Sequence, residues 1–119
     1  MSDTTLYSSL YQQISEYAEL VDEALIALIS QKNDTRLFQQ LGKMLGQLAN
    51  PPEGQLGSRM VSELILDSDI VGQSELEMAA EALGTGDIDD VTREIIERLA
   101  RSLEQERSKA MARIRGERR

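Results

Sequence analysis

The chain has 119 residues, of which 40% are apolar and 29% charged, the balance of one folded domain built around one core. It contains no histidine, no cysteine and no tryptophan, which removes disulfides, ordinary zinc and iron–sulfur sites, cysteine nucleophiles and imidazole acid–base chemistry. A net charge of −8 argues against the whole surface lying on nucleic acid or an anionic membrane, because such binding is driven by clustered positive charge.

The charge is nevertheless sorted along the chain. From Met60 to Thr92 there are nine acidic side chains and no Lys or Arg, whereas from Arg93 to Arg119 nine bases face five acids, a local balance of +4. Aromatic residues make up only 3%, so the core must come from Leu, Ile, Val, Ala and Met, a choice that favours helices.

The first element is the most regular. Tyr7, Leu10, Ile14, Tyr17, Val21, Ala24 and Leu28 recur at steps of three and four, which stacks them on one helix face. Leu6, Tyr11, Ala18, Leu20 and Leu25 widen the stripe, and Gln12, Ser15, Glu16, Glu19, Asp22 and Glu23 fill the other side. The pattern predicts a helix over 5–30, capped by Asp3 or Thr4, with a stripe too wide for a two-stranded coiled coil to cover.

Asn33 and Asp34 then supply an N-cap for a second helix bearing Leu37, Phe38, Leu41, Met44, Leu45 and Leu48. Its interior glycines, Gly42 and Gly46, each cost about 1 kcal/mol relative to alanine. The expectation is that they let another helix approach closely. Asn50-Pro51-Pro52-Glu53-Gly54 ends this helix, since neither proline can donate a helical hydrogen bond.

A third helix is expected from Ser58, carrying Met60, Val61, Leu64, Ile65 and Leu66 and failing near Asp67-Ser68-Asp69 or at Gly72. Ser74 with Glu77 reads as a capping box opening a short fourth helix that Gly84 closes. Asp87 and Asp90 cap a last helix over 88–115, about 40 Å long at 1.5 Å per residue. Its apolar periodicity runs through Ile88, Val91, Ile95, Ile96, Leu99 and Leu103 and then meets the polar run Glu104 to Lys109. The fold class expected is therefore all-α: a compact bundle of about five helices with long first and last helices, a single domain over 1–119 with 104–119 a protruding basic helical tail.

Carboxylates are the only plentiful reactive groups. Glu16 with Glu19, Glu19 with Asp22, and Glu94 with Glu97 have the three-residue spacing with which helical nucleotide pyrophosphohydrolases hold magnesium, but the first set lies opposite the apolar stripe, in water. Asp87-Ile88-Asp89-Asp90 fails as a calcium loop, with Thr92 where glycine is required and Arg98 where a bidentate Glu is required. Asp67-Ser68-Asp69 lacks the context of a carrier-protein serine. Gly84-Thr85-Gly86 precedes a helix whose first acids repel phosphate. No catalytic residue, metal or cofactor is expected, and the chain is read as not an enzyme.

Within the last helix, Glu94 with Arg98 and Glu97 with Arg101 are expected to pair at i, i+4. From Arg107 onward six bases meet one acid, and Met111 and Ile114 are expected to form an exposed apolar spot ringed by Arg107, Lys109, Arg113 and Arg115. These six residues are the candidate partner-binding set. They suit a protein partner, self-association, or nucleic acid reached through the basic end.

In size and helix content alone the chain is similar to small subunits of nucleoprotein complexes, including those of CRISPR effector complexes, and to phage-encoded inhibitors and assembly chaperones. The resulting expectation is a non-enzymatic interaction protein, an adaptor, regulator or small subunit of a larger complex. The alternative is a nucleic-acid-associated small subunit of a CRISPR-effector-like nucleoprotein complex, contacting the phosphate backbone through its basic last helix. The longest uninterrupted apolar run, Ala24 to Ile29, is far short of the roughly 18 residues needed to span a bilayer. With no basic segment leading a signal-length apolar stretch, a soluble cytoplasmic protein without membrane contact is expected.

Overall fold

The computed structural model of the protein describes the backbone of residues 3–117 and the side chains of residues 6–116. Five helices follow in order: α1 (Asp3–Ile29), α2 (Thr35–Ala49), α3 (Leu56–Asp67), α4 (Gln73–Thr85) and α5 (Asp90–Glu117). No strand occurs among the described residues. The expected all-α bundle is thus present, and its longest helices are the first and last, at 27 and 28 residues.

The two most extensive helix contacts do not join consecutive elements. Helix α1 pairs with α5, and α2 with α4, so that one pair is nested inside the other in the sequence; α3 packs on α1, α2 and α5. One connected core results, drawing Ile14 and Val21 from α1, Leu41 and Leu45 from α2, Ile65 from α3, Leu76 from α4 and Leu99 and Leu103 from α5. The broad stripe of α1 is explained by this arrangement. Leu10, Tyr17, Leu20, Leu25 and Leu28 pack against the core as its partly buried margin, so the width reflects cover by α5, α2 and α3 within the chain and does not by itself require a second molecule.

Helix ends show where local chemistry was legible. Asp34 caps α2, its Oδ1 accepting from the Leu37 N–H at 3.1 Å, as the sequence implies. Helix α3 begins two residues before Ser58, which is instead buried in the first turn and bonded to the Tyr17 hydroxyl at 3.2 Å. The expected Ser74–Glu77 box is displaced by two residues: Glu75 accepts from the Gly72 N–H at 3.0 Å, and Glu77 accepts from Asn50 at 3.2 Å. Gly86, not Gly84, closes α4, with φ +85° and its N–H bonded to the Ala82 carbonyl. Asp89 caps α5 through the Thr92 N–H at 2.9 Å, the role expected of its neighbours Asp87 and Asp90.

Of the two glycines in α2, one matches its expected purpose. A Cβ on Gly42 would stand 3.1 Å from the Ala80 carbonyl oxygen and 3.1 Å from Leu83 Cβ, whereas one on Gly46 would meet nothing within 4 Å. Close approach of α4 therefore centres on Gly42 alone.

Candidate functional site

Beyond Leu103, α5 leaves the connected core without leaving α1. Leu103, Glu106, Ala110 and Ile114 are spaced three, four and four apart, and all are buried, Ile114 to 5% exposure. They form the row turned toward α1. This corrects the expectation of a protruding tail over its described part, and of an exposed Ile114. The continuation of the seam was hidden in the polar run because it is carried by the stem of a carboxylate, Glu106, and by the small Ala110. Arg118 and Arg119 lie outside the described residues.

The candidate partner-binding residues are consequently divided around that seam. Arg107, Met111 and Arg115, at steps of four, line with Tyr11, Glu104 and Ser108 an open groove of about 430 Å³. On the opposite flank, Lys109 and Arg113 border a hollow of about 220 Å³ whose remaining lining is Tyr7, Leu10, Leu64, Glu106 and Ala110. Ile114 lies buried between the two flanks. The structure therefore brings five of the six to the surface as two rows and withdraws the sixth.

Tyr7, Tyr11, Leu10 and Leu64 are contributors that the sequence did not assign to this site. The tyrosines sit in the core stripe by periodicity, and their role becomes visible only because α5 lies antiparallel beside them. The Arg113 guanidinium carbon stands 5.9 Å from the centre of the Tyr7 ring, a cation–π contact that holds the base at the lip of the hollow. Two of the bases are engaged along their own helix: Arg107 with Glu104, and Lys109 with Glu106, the latter at 3.3 Å. Glu106 is itself 5% exposed, so Lys109 covers a buried carboxylate that would be costly if left alone.

The remaining polar clusters are structural. Arg98 does not pair with Glu94 along the helix but reaches across to α4, where its guanidinium binds both carboxylate oxygens of Glu75 and the Ile70 carbonyl at 3.1 Å. The hydrogen bond from Arg98, followed by that from the Gly72 N–H, holds the Glu75 carboxyl below its ordinary value; the same bond raises Arg98. Glu97 likewise turns to Arg93 at 3.6 Å instead of to Arg101. In the α4–α5 turn, the Thr85 hydroxyl donates to the Ala82 carbonyl and accepts from the Asp87 N–H, so Gly84-Thr85-Gly86 is tied to the residues on either side of it.

Glu16, Glu19, Asp22, Glu94 and Glu97 are all exposed, and among the described residues no three acidic, His or Cys side chains converge as a metal cluster. No helix among them is long and apolar enough to cross a membrane. Compared with protein-family models, with curated proteins and with solved structures, the chain matches none.

Proposed function

We propose that the protein is a non-enzymatic helical interaction protein, an adaptor, regulator or small subunit of a larger complex, and that it docks an acidic partner on the tip of the α1–α5 pair. The observation that carries this reading is the Lys109–Arg113 hollow: three helices, α1, α3 and α5, build an apolar floor from Tyr7, Leu10, Leu64 and Ala110 beneath two bases. The hollow's one acid, Glu106, is buried and covered by Lys109, so the charges exposed beside the apolar floor are basic, an arrangement in which the floor supplies affinity and the charges select the partner. The missing His and Cys and the scattered carboxylates support a role exercised through contact.

The test is recovery of the tagged protein from its native host beside the Lys109→Glu/Arg113→Glu variant. The reading expects a stoichiometric partner that the variant loses while keeping its helical spectrum. A partner retained undiminished by the variant would remove the hollow from the argument.

A second reading is a nucleic-acid-associated small subunit of a nucleoprotein complex, of the CRISPR-effector-like kind. It is favoured by the placement of Tyr7 and Tyr11 beside bases on both flanks, since aromatic faces and cations together bind single strands. It ranks second because Glu104 and Glu106 each occupy one of the four bases nearest those rings. Truncation after Glu106 is a poor test, because it would also remove Ala110 and Ile114 from the seam. Fluorescence polarisation of a labelled single-stranded oligonucleotide, with and without Arg113→Gln/Arg115→Gln, separates the readings. Binding that weakens steeply with salt and falls in the variant would promote the second.

A further inference from the structure

We propose that the Lys109–Arg113 hollow receives helix α4 of a second copy of this chain, with Met78 entering the hollow and Glu77 and Glu81 meeting the two bases. This rests on the interaction reading and names the partner.

The donor surface sets an exposed apolar side chain beside exposed acids. Met78 is 53% exposed on α4, and the neighbouring Ser74, Glu77 and Glu81 are exposed with it. No Lys or Arg occurs anywhere from Met60 to Thr92, and among the described residues neither Glu77 nor Glu81 forms an ion pair. Glu77 accepts one hydrogen bond, from Asn50 to Oε2, which leaves its other oxygen available. Nothing basic in this stretch competes for these acids.

The two surfaces match in pattern as well as in sign. Glu77 and Glu81 are four residues apart, about 6 Å along a helix axis, and so are Lys109 and Arg113. By the rotation of about 100° per residue, both acids fall on the same side of Met78. On the receiving side both bases belong to α5, while Leu10 and Leu64 form the apolar walls away from them. An acidic row beside an apolar point thus meets a basic row beside an apolar hollow. Methionine, unbranched and adaptable, suits a hollow walled by leucines and a tyrosine. Lys109 need not abandon Glu106, because an ammonium group has three donors and can hold two carboxylates.

The net charge of −8 sets the conditions. Two copies repel at long range, but at about 0.15 M salt the screening length is about 8 Å, so the facing patches dominate. Donor and receiver are different surfaces, so a contact made once leaves one of each unfilled and extends to chains or rings, and a contact made twice about a two-fold axis closes a dimer.

Sedimentation velocity from micromolar to near-millimolar protein tests this at moderate and high salt. The expected result is a weight-average mass that rises with concentration from one copy to two or more and falls back in high salt. Glu77→Lys/Glu81→Lys and Lys109→Glu/Arg113→Glu should each weaken association by roughly tenfold or more, and an equal mixture of the two should restore it, since each then carries the complement of the other. Met78→Ser should weaken it with no change of charge. If melting shows that Lys109→Glu disturbs the fold beside Glu106, Arg113→Glu alone carries the same expectation.

A wild-type chain that stays monomeric throughout, or a mixture that fails to reassociate, overturns the proposal. Should that occur while Lys109→Glu/Arg113→Glu still loses a host partner, the hollow binds a foreign acidic protein and only the second copy is wrong. If the variant loses nothing in either experiment, the interaction reading of the hollow falls as well.

Discussion

Replacing each glycine of α2 with alanine isolates the energetics of the α2–α4 contact, because the two sites share a helix and differ in what lies opposite. In both, alanine gains helix propensity of about 1 kcal/mol. At Gly46 the new methyl would meet nothing within 4 Å, so the gain should appear nearly whole, as about 0.5–1 kcal/mol of added stability. At Gly42 it would stand 3.1 Å from both the Ala80 carbonyl oxygen and Leu83 Cβ, inside the relaxed separation of about 3.5–4 Å. The carbonyl is backbone and cannot swing aside, so the helices must part by a few tenths of an ångström. Overpacking of this kind costs about 1–3 kcal/mol. Set against the propensity gain, Gly42→Ala should fall between neutral and about 2 kcal/mol destabilised. Urea unfolding followed by circular dichroism measures both, with an unchanged denaturant slope as the check that only stability moved. In a chain of this size each kcal/mol also displaces the melting temperature by about 4 °C. If Gly42→Ala stabilised as much as Gly46→Ala, the close approach of α2 and α4 would be refuted.

Ile114→Ala should cost about 2 kcal/mol while Met111→Ala, half-buried beside it, costs under about 1 kcal/mol; equal and negligible losses in thermal melts would return 104–116 to the status of a free tail. Asp34→Ala should remove about 1 kcal/mol by leaving the Leu37 N–H uncapped, measured by the same urea titration. Glu75, whose carboxyl is held below its ordinary value of 4.5 by Arg98 and the Gly72 N–H, binds protons more weakly folded than unfolded. Its contribution is therefore present above 4.5 and lost as pH falls through the lowered value. The stability difference between wild type and Glu75→Gln should shrink as the solution is acidified below that point, and a difference independent of pH would contradict the Arg98 pairing.

Periodicity made the helices legible because each apolar face has to find cover, and capping chemistry made Asp34 legible because its carboxylate has one local donor to satisfy. Three neighbouring aspartates, Asp87, Asp89 and Asp90, were not separable in the same way: any of them has the side chain for a cap, and the choice depends on the backbone course set by Gly86. Ser74 and Glu77 had the spacing of a capping box, but Arg98, arriving from α5, fixes Glu75 and with it the start of α4. Long-range partners of this kind leave no mark on local sequence. At the candidate site, the bases were visible as a charge excess. The buried row was not, because a seam built from Glu106 and Ala110 carries no hydrophobic signature, and the tyrosines of α1 became part of the site only through an antiparallel neighbour about a hundred residues away.

The nesting of α2–α4 within α1–α5 gives the loop from Pro51 to Gln55 an unusual standing. Both of the largest helix contacts span it, so severing the chain there would leave one fragment with α1 and α2 and another with α3, α4 and α5, each holding one member of both pairs. Neither fragment could cover its own apolar face, since the partner of each bare surface resides in the other. The fragments are therefore complementary halves, held together after cleavage by the same interfaces that close the intact molecule, and a nick in this loop need not release either one.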